Sequence, residues 1–242
     1  MRLVTVTLWV LAGAALTGGA YWSFLITPES TIWALAVSAL MLLVVLFLVA
    51  ITISGAIVGW RHGISTSHLR PAVAGVPSVL PAALIVFMFW RLAGTVTDSL
   101  TLNSGGINAW FIAALGWDDV SWLFTGITWL ALWLKWVVAP MLAVSIMGGV
   151  SLIGWRALAG FAWMRRAVSP VSLAVATLIF AAFVAVPWVY LTPWRPEGLP
   201  ATAIELAFII AKLSLTAVLM AMGVALIIRQ AIWTTSTPSS AN

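Results

Sequence analysis

Six stretches of this sequence, 3–26, 31–59, 72–94, 121–150, 171–192 and 203–228, are apolar almost without interruption. A hydrocarbon core of about 30 Å takes about 20 helical residues to cross, and each stretch is long enough. They predict an all-α fold, a bundle of six membrane helices. A soluble domain carries about 25% charged residues; here the figure is 7%, with 63% hydrophobic residues and a mean hydropathy of +1.14. Water is therefore excluded as the main solvent. No run of mixed polar sequence is long enough for a second folding unit, so residues 1–233 form one transmembrane domain. The remaining 234–242, TTSTPSSAN, are small and polar and are expected to be disordered.

The charges sort by sign along the chain. If the connection holding Pro28 and Glu29 lies outside, the next one, with Arg61, His62, His68 and Arg70, lies inside, as does the later one with Arg156, Arg165 and Arg166. Arg2 and Arg229 fall on the same inner side, while Asp98, Asp118, Asp119, Glu197 and Glu205 fall toward the outer one. Lys and Arg accumulate on the untranslocated side, which predicts cytoplasmic termini and an integral protein of the plasma or inner membrane. A second reading of the N-terminus stands beside this one. Arg2, an apolar stretch and the small residues Gly18 to Ala20 also fit a cleavable signal, which would leave five spans. The apolar run continues through Tyr21, Trp22 and Phe24, which favours an uncleaved first span.

Between the third and fourth spans, Ile107 to Trp117 is apolar but too short to cross, and Ser104, Gly105 and Gly106 precede it. The expectation is a separate interfacial or re-entrant helix lying over the outer face. Gly59-Trp60-Arg61 recurs as Gly154-Trp155-Arg156, with Arg70 and Arg165 each nine residues beyond (154 − 59 = 95; 165 − 70 = 95). Two explanations fit: a parallel duplication, or two inner helix ends that each want a glycine, an interfacial tryptophan and a snorkelling arginine.

The absence of cysteine removes disulfides, iron–sulfur clusters, thiol catalysis and C-x-x-C-H haem attachment, and no cofactor is expected. The net charge of +5 comes from bases dispersed singly or in pairs at helix ends, a pattern that suits lipid headgroups, not nucleic acid. His62 and His68 lie in the inner connection, where solvation is expected over metal or haem ligation. Asp118 and Asp119 open the fourth span, where negative charge complements the helix dipole. No H-E-x-x-H, G-x-S-x-G or phosphate-cradling glycine loop is present. A lysine in the last span is also a feature of retinal proteins, but six spans and no mid-membrane acid argue against that reading. An enzyme needs convergent acid, base or metal groups that this sequence does not assemble.

An ionisable group deep in lipid costs at least about 2.5–3.5 kcal/mol and normally faces protein or water, so it marks a candidate site. Lys135 and Lys212 are such groups, and Arg91 is a milder one near the outer end of span three. On an α-helical wheel Trp122, Trp129, Trp133 and Trp136 share one side of span four, whereas Lys135 lies about 130° away, above Thr128, Ala131 and Ala139. In span six Glu205, Lys212 and Thr216 form a thin polar stripe. Pro140, after Lys135, is placed to kink the helix and free a carbonyl. Two functional classes fit these residues. In the first, Lys135, Lys212, Arg91, Glu205, Thr128 and Thr216 line an outward cationic cavity of a transporter, channel or lipid-handling protein that takes a small anion or lipid headgroup. In the second, each cation is neutralised locally and the chain is a non-catalytic membrane subunit packing against other subunits. Membrane lipids are partners in both.

The charge map makes its own prediction. A thiol reagent confined to the cytoplasmic side of intact vesicles reacts with cysteine introduced at Ser65, between Arg61 and Arg70; reaction only from the exterior would overturn the orientation.

Overall fold

The structure, a computed structural model, describes residues 1–27, 31–64, 69–117, 120–159, 164, 167–194 and 203–236. Among these it is helical without strands. Helix α1 spans Arg2–Ile26. Thr31 opens α2, Ile32–His62, by accepting the Ala34 N–H on its hydroxyl, and Gly63 closes it at φ 88°. A short α3, Leu69–Ala74, and a 3-10 turn, Val76–Ser78, lead into α4, Val79–Leu115. Helix α5, Ser121–Trp133, a π turn, Leu134–Val138, and α6, Ala139–Ile153, form one rod. Helix α7, Pro170–Phe180, continues through π turns Ala181–Ala185 and Pro187–Leu191, and α8, Ala203–Ser236, completes the chain. Six of these rods are long and apolar enough to cross a membrane.

Two expectations are corrected. Ile107 to Trp117 does not form a separate outer helix, because α4 runs unbroken through Ser104, Gly105 and Gly106 to Leu115. Its polar side chains bond back into their own helix, Thr101 to the Thr97 carbonyl, Asn103 to that of Ser99 and Ser104 to that of Thr101. Each mid-helix glycine costs only about 1 kcal/mol relative to alanine, too little to break such a rod. At the other terminus α8 continues through Thr234 to Ser236, so the polar tail begins later than expected; residues 237–242 lie outside the described ones.

The π turns have a local cause. Pro140 stands two residues beyond Leu134–Val138, and Pro187 two beyond Ala181–Ala185. A proline ring collides with the carbonyl four residues back and cannot donate to it. Widening the preceding turn relieves both problems: the Ala139 N–H reaches the Leu134 carbonyl, and the Val186 N–H that of Ala181.

Hydrogen bonds fix how the rods align. Arg2, at the start of α1, donates to the Trp60 carbonyl at the end of α2; Trp60 donates through Nε1 to the Ala225 carbonyl of α8; and Arg61 donates to Ser151 and the Gly148 carbonyl near the end of α6. The start of α1 and the ends of α2, α6 and α8 therefore share one end of the bundle, called here the basic end. Burial concentrates there. Val6 and Val10, Ala56 and Ile57, Met147, and Ala225, Ile227, Ile228, Ala231 and Ile232 of α8 belong to one core cluster, while Ile32–Phe47 is exposed over most of its length. The α5–α6 rod is the hub: 61% of its most apolar window is buried, against 11–22% for the other rods. Its inner stretch, Met141 to Gly149, alternates bulky and small residues, which lets α2, α4 and α8 approach it.

Helices α1 and α2 touch through glycines. A Cβ on Gly55 would sit 2.6 Å from the Trp9 ring, and one on Gly13 would collide with Thr52; Trp9 Nε1 donates to the Thr52 carbonyl at 2.9 Å. Overpacking such a contact costs about 1–3 kcal/mol. Gly55→Val is expected to lower unfolding stability in detergent by about that amount, whereas Gly18→Ala, at a mid-helix position open to space, does not lower the unfolding midpoint and adds up to about 1 kcal/mol of stability.

Candidate functional site

Lys135 lies in the π turn of span four, and the extra residue in that turn changes its register. Within the turn an α-helical wheel no longer holds, and the neighbours Lys135 and Trp136 both meet Trp90 of α4. The Lys135 ammonium sits 5.7 Å from the Trp90 ring centroid, and Trp136 meets the same ring edge-on at 5.1 Å. The lysine set apart from the aromatic face on a wheel is thus an aromatic-bound cation. Of the four tryptophans on that face, Trp122, Trp129 and Trp136 are exposed, while Trp133 turns inward and donates to Thr177 Oγ1 at 2.8 Å.

Lys212 is held differently. Its Nζ donates to the carbonyls of Thr192 (2.7 Å) and Trp194 (3.1 Å), where the chain leaves the second π turn of span five, and lies 5.7 Å from the Phe208 ring. Carbonyls at the end of a helix are left without intrahelical donors and carry the negative pole of its dipole, so they are ready acceptors for a cation. Thr216 is buried and donates to the Lys212 carbonyl; Thr128 is exposed and donates to the Phe124 carbonyl of its own helix. Arg91 is exposed on α4, and Glu205 is half-buried in the first turn of α8.

The described contacts of Lys135 and Lys212 share no residue. Among the described residues, a shallow groove runs along α4 from Thr95 to Trp110 and a pocket forms where α2, α3 and α6 meet; neither is lined by either lysine. The described residues also contain no group of three or more His, Asp or Glu placed to hold a metal ion. His68, Asp118, Asp119, Glu29, Glu197, Arg165 and Arg166 lie outside the described residues.

At the basic end the structure assembles a cluster that the sequence pattern did not single out as a site. Trp60 is its centre: its carbonyl receives Arg2, its indole donates to Ala225, and its ring lies 5.4 Å from the Arg229 guanidinium. The available signal was Gly59-Trp60-Arg61 itself. The second copy is built differently. Gly59 is helical and so crowded that a Cβ would lie 2.9 Å from Ile64, whereas Gly154 ends α6 at φ 68° in open space. Trp155 and Arg156 are exposed where Trp60 and Arg61 are engaged. The recurring tripeptide therefore does not mark equivalent environments.

No protein-family model, curated protein or solved structure matches the chain.

If the lysines are fastened locally, their removal is felt as lost stability. Lys212→Met strips two carbonyls of their donor and is expected to cost about 1–3 kcal/mol, more than Lys135→Met, which forfeits about 0.5–1 kcal/mol of cation–π attraction. Denaturant titration of both variants in detergent checks the order.

Proposed function

We propose that this chain is an integral membrane protein crossing the bilayer six times, both termini cytoplasmic, that serves as a non-catalytic structural or assembly subunit. The convergence of Arg2, Arg61 and Arg229 on one end supports the orientation, since it turns a sorting of charges along the sequence into a basic face in space. The observation that carries the subunit reading is the separate fastening of Lys135 on Trp90 and of Lys212 on the Thr192 and Trp194 carbonyls. A cavity that attracts an anion needs its cations to converge on one space, and these are bound to different neighbours.

The apolar surface points the same way. Away from the basic end the rods expose bulky residues: Leu42 and Leu43 of α2, Leu102 and Trp110 of α4, Trp188 and Tyr190 of span five. Lipid covers part of such a surface, and helices of other membrane subunits cover the rest. The transport reading, an outward cationic cavity for a small anion or a lipid headgroup, draws its support from the π turns, which are frequent at functional sites and here adjoin both lysines.

Native mass spectrometry after mild-detergent purification, with a photo-crosslinking residue at Leu102, separates the two. The subunit reading expects one partner chain in fixed stoichiometry, crosslinked from Leu102. Recovery as an empty monomer, together with anion flux in proteoliposomes that falls in Lys135→Gln and Lys212→Gln, would overturn it in favour of transport.

A further inference from the structure

We infer that the pocket beside Arg61, at the basic end, is a binding site for a phosphate group, either the headgroup of an acidic phospholipid or a free phosphate. The pocket is about 400 Å³ and is walled by Val58, Arg61 and His62 of α2, Pro71 and Ala74 of α3, and Ser151 of α6. Its lining holds an arginine, a histidine and a hydroxyl but no acid.

Arg61 is positioned before any ligand arrives. Nη1 donates to Ser151 Oγ at 3.1 Å and Nη2 to the Gly148 carbonyl at 3.3 Å, which pins the guanidinium across the mouth between α2 and α6. A guanidinium has five N–H donors in a rigid fork, and two serve this anchorage. The others match the geometry of phosphate oxygens, and a preorganised fork loses little freedom on binding. The ends of α2 and α6 bring negative carbonyls near the pocket, and two of these are engaged within the chain. The Gly59 carbonyl receives the Gly63 N–H, and that of Gly148 receives both Arg61 and the Ser151 hydroxyl.

Among the described residues, no acid lines the pocket or bonds to Arg61. Of the chain's six acids, Asp98 lies beyond the middle of α4 and Glu205 in the first turn of α8, at the far end of that helix from Arg229; along the sequence Glu29 falls between α1 and α2, Asp118 and Asp119 between α4 and α5, and Glu197 before α8. Arg70, next to the lining residue Pro71, and Arg156, just past α6, add positive charge on the same side. These charges favour an anion drawn from outside the chain. In the six-span reading this end sits at the level of the cytoplasmic headgroups, where a phosphate lies within reach. The lipid source rests on that reading; the phosphate chemistry does not.

The full chain, purified in neutral detergent, is examined by native mass spectrometry with dioleoyl phosphatidic acid, with dioleoyl phosphatidylcholine, and with inorganic phosphate alone. Phosphatidic acid is expected to be retained over phosphatidylcholine by about tenfold, the scale of one charge-assisted contact, and Arg61→Gln abolishes the preference while Arg156→Gln keeps it. Because Arg61 also ties α2 to α6, Ala74→Glu provides a second arm: Ala74 is exposed, and a carboxylate there occupies the fork without removing it. Inorganic phosphate that competes with the lipid identifies the phosphate as the recognised group; binding of phosphate without lipid preference assigns the free ion as the source. Lipid retention unchanged in both Arg61→Gln and Ala74→Glu, or lost equally in Arg156→Gln, would overturn the site. Recovery of the chain in the soluble fraction would sink the membrane reading and leave the phosphate arm standing.

Discussion

The fold depends on cations and indoles donating to backbone carbonyls. With eleven bases against six acids, side-chain ion pairing cannot neutralise all of the positive charge. The carbonyl oxygen takes its place. Arg2 reaches Trp60, Arg61 reaches Gly148, Lys212 reaches Thr192 and Trp194, and the indoles of Trp9 and Trp60 reach Thr52 and Ala225. Several of these acceptors lie near helix ends, where the dipole is negative and the ladder leaves lone pairs open. In apolar surroundings an unmade bond of this kind is costly, so the contacts lock the register of neighbouring rods while contributing few side-chain pairs.

That arrangement explains why the bundle is tight at one end. The rods meet where small residues let them: Gly55 beneath Trp9, Gly13 against Thr52, and the run through Gly148 and Gly149 at the centre. Toward the other end the helices present Leu, Ile and Trp to their surroundings, and packing yields to exposure. A soluble protein could not leave so much apolar surface uncovered. In lipid the same surface costs nothing, because the chains around it are as apolar as leucine.

The π turns join this architecture to the lysines. Pro140 and Pro187 widen the turn before them, and the added residue rotates the helix beyond it. In span four the widened turn itself holds Lys135, beside Trp90. In span five the second π turn ends beside the carbonyls that hold Lys212. Lys135 and Lys212 thus have different described neighbours.

The sequence alone determined the number of rods, their approximate limits and which ends carry the bases, because these depend on hydropathy summed over long windows and on charges counted along the chain. Both survive errors at single residues. It did not determine that α4 passes through Ser104, Gly105 and Gly106, since that turned on whether polar side chains would bond backward or cap a new helix. Nor could a wheel anticipate the position of Lys135, because one π turn upsets the periodicity on which a wheel is built. The Trp60 and Arg61 cluster was visible only as a tripeptide. Its partners, Ser151, Ala225 and Arg229, lie some 90 or more residues away in sequence, and only tertiary packing, driven by the close approach of small residues and the need to satisfy each donor, could bring them together.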